Sequence, residues 1–131
     1  MASGFTTATR NAILTTNFET ADVWGACCDA DPGDASATNA EIAASSGYTR
    51  MTLTCAGAAA GSIANTAALE FPAASGGDWG TIGWLAIAST LTEADGLFKA
   101  SGPLTVSKLI EDGDQLVFAI GAITIAIAAQ A

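Results

Sequence analysis

Alternating apolar and polar residues run through much of this chain, and a period of two residues indicates β-strands with one buried face. The alternation is visible at residues 48–55 and 79–89, and it is cleanest at residues 115–128. The predicted strands are residues 23–28, 48–55, 63–71 (ended by Pro72), 79–89, 97–100, 103–107 and 115–128. The pattern therefore predicts about seven strands.

Turn-forming residues separate these strands. Asp31-Pro32-Gly33 suits a tight turn, because Pro fixes φ and Gly adopts positive φ freely. Glu111-Asp112-Gly113-Asp114 predicts an acidic hairpin turn. Residues 34–47 predict a long surface loop, and the small residues 56–62 predict a turn region. The strands are too numerous, and most loops between them too short, for the crossover helices of a parallel α/β sheet, so an antiparallel arrangement is expected.

One helix is predicted, at residues 5–18, with Thr6 or Thr7 as its N-cap. Residues 1–22 would then form an N-terminal helix or arm, packed on the rest of the chain or on a neighbouring subunit. The whole chain, residues 1–131, is expected to form one domain. The predicted fold class is mainly β: an antiparallel β-sandwich or jelly roll with one short N-terminal helix or arm.

The C-terminal segment is predicted to be a single core strand. Ile123, Ile125 and Ile127 share one face of its alternating pattern, and Thr124 lies on the other.

Half of all residues are hydrophobic, but alanine supplies much of that share, and the chain has only five Phe, three Trp and one Tyr. Because alanine buries little area, contacts between subunits are expected to supply part of the stability.

The charge balance excludes one class of partner. Thirteen acidic residues face four basic ones, a formal net charge of −9. Arg10, Arg50, Lys99 and Lys108 are scattered along the chain, whereas a nucleic-acid interface needs clustered cations.

The most apolar tract, residues 116–129, is shorter than the roughly 20 residues of a membrane-spanning helix. Residues 1–9 show no secretory signal pattern. We expect no nucleic acid and no membrane partner, and a soluble protein made inside a cell.

Catalytic, cofactor and metal sites are not expected. The chain has no histidine, which removes imidazole general bases and His metal ligands. Cys27, Cys28 and Cys55 form neither a disulfide framework nor a zinc pattern, so they are predicted to be small buried residues of strands. Paired carboxylates could serve a glycosidase, but its sugar-binding cleft would need more aromatic residues than this chain can supply. The protein is therefore not expected to be an enzyme.

Asp29, Asp31 and Asp34 leave one alternative open. Alternating carboxylates suit a Ca²⁺ or Mg²⁺ site, but Pro32 stands where the chain should wrap the ion. Glu41 falls one residue late for an EF-hand that begins at Asp29. A solvated turn is the preferred interpretation, and a loose cation site is the alternative.

Five residues are candidates for a subunit interface. The three tryptophans are expected to anchor a core or an interface, because each buries a large area. Arg50 enters a strand just after Tyr48, and in a chain with so few cations it should pair with a carboxylate, within or between subunits. The interface candidates are Trp24, Tyr48, Arg50, Trp79 and Trp84.

Several short motifs together resemble a known family. Their order is a strand ending in Asp-Pro-Gly, a Tyr-x-Arg strand opening, an Asn followed by Phe-Pro, a Trp-Gly turn and an apolar C-terminal strand. In this chain they are Asp31-Pro32-Gly33, Tyr48-Thr49-Arg50, Asn65 with Phe71-Pro72, Trp79-Gly80 and residues 116–128. The pattern resembles small virion proteins of tailed phages, labelled tail fibre proteins and in some phages found as capsid cement (decoration) proteins.

The resemblance implies a structural protein of the phage particle. It implies a capsid cement protein on the capsid exterior, made in the host cytoplasm, that clamps neighbouring major capsid subunits. Decoration proteins commonly sit at threefold positions, so the resemblance also implies a homotrimer. The alternative is a tail or tail-tip protein that binds the host receptor. The chain shows no repetitive shaft of the kind fibres carry, which favours cement. A cellular lectin-like module has no positive support in the sequence.

Overall fold

A computed structural model describes residues 4–34, 40–93 and 96–129. Within these ranges it contains one α-helix, α1 (Thr7–Leu14), followed by a π-helical turn (Thr15–Glu19). The strands are β1 Val23–Cys28, β2 Met51–Leu53, β3 Cys55–Ala59, β4 Ser62–Asn65, β5 Leu69–Glu70, β6 Gly80–Ala88, β7 Phe98–Ile110, β8 Val117–Phe118 and β9 Thr124–Ala126. They form three sheets, in the orders β2-β1-β6-β7, β3-β4-β9 and β5-β8.

The predicted fold class is confirmed. The chain is mainly antiparallel β with one short N-terminal helix in its described part, consistent with a β-sandwich. None of the described helices is long and apolar enough to cross a membrane. The chain divides into two compact units, each built from separated segments. Unit 1 comprises residues 1–22, 54–68 and 118–131, and unit 2 comprises residues 23–53 and 69–117. A single domain over residues 1–131 stays a prediction.

In unit 1 the helix is tied to a hairpin by polar side chains. Thr6 caps α1, as predicted, by accepting a hydrogen bond from the amide of Thr9 at 3.3 Å. Arg10 is buried and donates from its Nη1 to the carbonyls of Ala60 and Ile127, at 3.4 and 3.1 Å. Because these carbonyls lie at the β3–β4 turn and just after β9, one guanidinium joins the helix to two parts of the sheet.

The turn region predicted at residues 56–62 is wrong. β3 occupies most of it and pairs antiparallel with β4, with the reversal at Ala60-Gly61. Both turn residues have positive φ, 51° and 75°. Alanine and glycine favour strands weakly by themselves, so the sequence hides this strand, and pairing with β4 stabilises it.

Asn65 organises the rest of unit 1. Its buried side chain donates to the carbonyls of Ala67 and Ala119, at 2.8 and 3.0 Å. Its Oδ1 accepts from the amide of Ile123 at 2.9 Å, and its carbonyl accepts from Gly121 at 3.0 Å. One amide side chain therefore holds the segment that leads into β9. The strand predicted for residues 63–71 is divided after Asn65 into β4 and β5.

The single C-terminal strand predicted for residues 115–128 is also wrong in its continuity. The chain turns at residues 119–122, where Gly121 has φ 79°, and this turn separates β8 from β9. The expected alternation holds in direction, since Ile123 is buried and Thr124 is exposed. Ile125 and Ile127 are only half-buried, so the core face is smaller than predicted.

Unit 2 is built on the four-stranded sheet. β1 has the bounds predicted for it, and its neighbour β6 lies within the predicted residues 79–89. Residues 97–100 and 103–107 were expected to form two strands but belong to one, β7. Pro103 does not end it, because β7 is the edge strand and the missing N–H costs no ladder hydrogen bond on its free side.

The segment before β2 differs from the expected pattern. The strand predicted for residues 48–55 begins only at Met51, so residues 48–50 lie before it, and it is interrupted at Thr54, which separates β2 from β3. The surface loop predicted for residues 34–47 falls partly on residues 35–39, outside the described residues. Ala40 is buried, and Glu41 forms an isolated antiparallel bridge with Cys28. Residues 40 and 41 therefore lie inside unit 2, and the surface-loop prediction is wrong for them, whereas residues 43–45 and 47 are exposed as predicted.

Candidate functional site

A buried ion pair lies at the centre of unit 2. Arg50 donates from Nε to Oε2 of Glu41 at 2.8 Å, and from Nη2 to Oε1 at 2.6 Å. The two side chains are 0% and 1% exposed, respectively. This bidentate geometry is the strongest form of the pair, since two parallel hydrogen bonds carry opposite charges. The sequence prediction that Arg50 pairs with a carboxylate is confirmed, and the partner belongs to the same chain.

Tyr48 completes the arrangement. Its hydroxyl donates to Oε2 of Glu41 at 2.6 Å and accepts from the amide of Cys27 at 3.1 Å. β2 pairs with β1 only from Val23 to Gly25, so the amide of Cys27 lies beyond the end of β2. The tyrosine hydroxyl therefore satisfies a buried backbone donor that the sheet leaves unpaired.

Arg50 also contacts two further segments of unit 2. Its Nη1 donates to the carbonyl and the Oγ1 of Thr90, at 2.8 and 3.2 Å. Its guanidinium carbon lies 5.6 Å from the ring centroid of Phe98, within the range of a cation–π contact. Arg50 thus links the segment before β2 to the loop after β6 and to the start of β7. We call Glu41, Tyr48 and Arg50 the buried triad.

Burial and the ion pair set the protonation of these groups. Burial raises the pKa of Tyr48 far above its ordinary value, and the hydrogen bond to the Glu41 carboxylate adds to this. Burial by itself would lower the pKa of Arg50, but the hydrogen bond and charge of Glu41 outweigh it and raise that pKa. Tyr48 therefore stays a neutral donor and Arg50 stays charged, which keeps the triad in one bonding pattern.

An aromatic cluster adjoins the triad. Tyr48 contacts Trp79 edge-on, with ring centroids 5.3 Å apart, and stacks near Phe71 at 6.3 Å. Trp79 donates from Nε1 to the carbonyl of Ser46 at 2.8 Å. The ring of Tyr48 thus packs in the core, and its hydroxyl forms a hydrogen bond within the triad.

The five interface candidates divide into two groups. Tyr48, Arg50 and Trp79 are buried in unit 2 and lie together, around the triad. Trp24 and Trp84 are half-buried on β1 and β6. Trp84 packs against a buried cluster that includes Cys28, Ala86 and Phe98. A role for the five residues in a subunit interface stays a prediction.

Glu41 is the residue that sequence reasoning missed. It was considered only as a calcium ligand, because small polar residues surround it and predict a loop. The available signal was indirect: Arg50 needs a carboxylate, and Glu41 is the acidic residue nearest to it on its N-terminal side. Sequence spacing alone does not choose between this and the other acidic residues.

The acidic cluster forms a turn. Asp31 accepts from the amide of Gly33 at 2.8 Å, and Gly33 has φ 73°, as the turn prediction required. Asp29, Asp31 and Asp34 are exposed. Among the described residues, no group of three or more Cys, Asp or Glu side chains is arranged to hold a metal ion.

All three cysteines are free and buried, as predicted. Burial raises the pKa of Cys28 to about 12, with smaller contributions from Glu41 and Asp29. Burial and the neighbouring Cys28 also raise the pKa of Cys27. These thiols remain protonated and behave as small core residues.

Several apolar side chains of unit 2 are exposed. Val106, Leu109 and Val117 are 64%, 58% and 46% exposed. Leu109 and Val117 line a shallow groove between residues 108–110 and 114–117. Its charged lining residues are Lys108 and Asp114. We call these two segments the β7 groove.

No curated protein matches this chain. A family model described as Podophage GP4 fiber I protein gp80 matches residues 4–126, nearly the whole chain. This match supports the resemblance to phage tail-fibre-type proteins that the motifs indicated. The motif residues are all buried: Tyr48 and Arg50 in the triad, Phe71 and Trp79 in the aromatic cluster, and Asn65 at the end of β4, where it bonds to the turn before β9. The chain therefore belongs to the Podophage GP4 fiber I protein gp80 family and is a structural protein of the phage virion.

Proposed function

We propose that the protein is a non-enzymatic building block of a phage tail fibre. The family match over residues 4–126 carries this proposal, since the matching family is a fibre family. The geometry of the triad supports a structural role. Its three side chains are buried and bonded to one another, so they suit the holding of a fold better than the turnover of a substrate.

The position on the particle is tested by copy number. Quantitative mass spectrometry of purified particles would compare this chain with the major capsid protein. A tail-fibre component should be present in a small number of copies, set by the fibres at the tail. A copy number comparable with that of the capsid protein would overturn the fibre proposal.

The second candidate is capsid cement on the exterior of the head. It is favoured by the pattern of residues 1–131, which contain no repetitive shaft segment. In this form the protein would be a homotrimer that clamps neighbouring major capsid subunits, with no nucleic acid, membrane or cofactor involved.

Particles that lack the protein separate the two candidates. Loss of cement should make particles release DNA at a lower temperature or under osmotic shock, while adsorption to the host stays normal. Loss of a fibre component should abolish adsorption and leave the thermal stability of the head unchanged. A particle that is altered in neither property contradicts both candidates.

A further inference from the structure

We propose that the sheet edges of this chain are closed, that is, shaped so that no further strand can pair with them. Copies of the chain then assemble in the virion through side-chain surfaces and not by extending a sheet. The bulged strand β7 is the main element of this device. The proposal goes beyond the position on the particle, since it applies equally to a fibre component and to a cement protein.

The long edge strand β7 is the position where a closed edge is most needed. An edge strand presents a row of unpaired N–H and C=O groups, which can pair with a strand of another copy and cause aggregation. β7 is the longest described strand, with 13 residues, and within the described residues β6 is its sole strand partner. It carries Val106 and Leu109, which are 64% and 58% exposed, and Leu109 also lines the β7 groove. A long edge with exposed apolar side chains is an aggregation site unless its geometry prevents pairing.

A small bulge and a proline interrupt the N-terminal half of β7. Phe98 and Ala100 pair with consecutive residues of β6, so Lys99 between them is an extra residue. Lys99 is exposed, and a lysine at a bulge places a charge on the edge. Pro103 follows on the same strand and has no N–H to donate to a neighbour. Charge, bulge and proline each disfavour the addition of a strand here.

A larger bulge interrupts the C-terminal half of β7. Ile82 and Trp84 of β6 have one residue between them, whereas their partners on β7 have four between them, residues 104–107. The three surplus residues cannot follow the line of the strand, so an incoming strand could not pair along this edge without a gap. Val106 belongs to this segment, so the bulge also takes the most exposed apolar residue of β7 out of the ladder.

The remaining sheet edges are short or bulged as well. β2 and β9 have three residues each, and β5 and β8 have two. Strands this short offer few backbone groups to a neighbour. β3 has five residues and contains a bulge, in which residues 57 and 58 stand opposite Ile63 of β4 and Gly57 has φ 76°. Within the described residues, every edge strand longer than three residues is therefore bulged.

This pattern restricts how copies of the chain can meet. A neighbour that docks on one of these sheets must use side chains, because the described edges offer no regular stretch long enough to template another strand. The net charge of −9 acts in the same direction, since it keeps separate copies apart in solution.

Opening the edge of β7 in the full-length protein tests the proposal. The first variant, Lys99→Thr with Pro103→Thr, removes the edge charge and restores an amide donor. The second variant also lacks residues 105–107, which leaves one residue opposite Gly83. We expect each to self-associate at concentrations at least about tenfold below those of the unaltered chain, since a few backbone hydrogen bonds per contact are worth that much. Sedimentation velocity measures the association, and the amide I infrared band identifies intermolecular β-sheet.

The matched control is Lys99→Arg with Pro72→Thr. It changes the same two residue types but keeps the charge on the bulge and the proline on the edge, because Pro72 lies outside the strands. It should associate no more than the unaltered chain. Loss of Lys99 makes the chain more acidic, which opposes association, so charge cannot explain stronger association of the opened variants. Thermal unfolding verifies folding, and the first variant decides the test if the deletion prevents it.

Two results would overturn the proposal. One is a folded Lys99→Thr, Pro103→Thr protein that associates no more than its control. The other is hydrogen exchange at the amides of β7 that is much slower in purified particles than in the isolated chain, because it would show a strand paired with this edge. Equal exchange rates support closed edges. Neither result depends on the copy number that tests the fibre proposal.

Discussion

At the scale of single residues, the buried triad places two charged side chains and one hydroxyl in the interior of unit 2. Taking the charges of Glu41 and Arg50 out of water is costly, and their mutual attraction offsets that cost only while both are present. The two hydrogen bonds between them, and those from Tyr48 and to Thr90, satisfy much of their bonding capacity. The pair is therefore worth most as a fixed connection between three segments of unit 2.

Removing one partner should be far worse than removing both. We expect Arg50→Ala and Glu41→Ala each to lower the free energy of unfolding by about 3–5 kcal/mol, because each leaves a buried charge unpaired. The double variant should lose much less than the sum. Denaturant unfolding of the four proteins in a double-mutant cycle measures this, and additive losses would contradict the assigned coupling.

Alkaline pH should destabilise the fold through its thiols. Burial raises the pKa of Cys28 to about 12 from an ordinary value of 9.0, so the folded thiol stays protonated where the unfolded one ionises. Stability is therefore unaffected below the unfolded pKa and decreases as the pH rises from about 9 towards about 12. Each such thiol should contribute about 1.4 kcal/mol per pH unit in this window.

Unfolding free energies measured between about pH 8 and 11 test this expectation. The raised pKa of Cys27 contributes in the same direction, and that of Tyr48 follows above its ordinary value of 10.0. In Cys28→Ala the unfolding free energy should decrease less steeply with rising pH, by the contribution of one thiol. An unchanged slope in that variant would show that Cys28 does not titrate on unfolding.

At the scale of elements, the turn between β3 and β4 contacts the N-terminal helix through Arg10. Gly61 has φ 75°, and a Cβ there would overlap the guanidinium of Arg10. Gly57, on β3, has nearly the same φ of 76° but open space around its Cα. The two glycines therefore share a backbone cost and differ in the contact with α1.

Replacing each glycine by alanine separates these effects. Gly57→Ala should cost about 1–2 kcal/mol, the strain of a left-handed residue with a side chain. Gly61→Ala should cost at least about 1 kcal/mol more, because Arg10 must leave the carbonyls of Ala60 and Ile127. Denaturant unfolding of both variants measures the difference. Equal losses would mean that Arg10 adjusts without losing its bonds.

The elements that sequence patterns predicted well are those whose signal is local. β1 was predicted with its correct bounds because an apolar run lies between acidic turn residues. α1 was predicted because its cap, Thr6, lies next to it in sequence. β7 was predicted as two strands because Pro103 breaks most strands, and only the sheet order makes it an edge position.

The missed features depend on distant partners. The break between β8 and β9 is fixed by the side chain of Asn65, more than 50 positions earlier. The sequence indicated that Arg50 needs a carboxylate, but the choice of Glu41 is made by the isolated bridge that places it beside Cys28. Such long-range contacts leave no periodic signal in the chain.

At the scale of the whole molecule, net charge opposes compactness. A formal charge of −9 on 131 residues produces repulsion that salt screens. We expect the thermal midpoint to rise by a few degrees when NaCl is increased from about 10 mM to about 200 mM. A midpoint that falls or stays constant would show that repulsion is unimportant here.

The same measurement with CaCl₂ or MgCl₂ at equal ionic strength provides the control. Screening by itself predicts nearly equal shifts for monovalent and divalent salts. A much larger shift with a divalent cation, abolished by Asp31→Asn, would instead support the cation-site alternative at Asp29, Asp31 and Asp34. The exposed turn that these residues form favours equal shifts.

All three cysteines are buried, so none of their thiols lies on the surface of the folded protein. The thiolate is the form that attacks thiol reagents, and Cys27 and Cys28 are both buried and held protonated. A single cysteine introduced at an exposed position such as Ser101 should therefore take a maleimide label by itself in the native protein. One fluorophore or gold particle per chain could then be attached without removing any natural cysteine, and its place on the virion could be imaged directly.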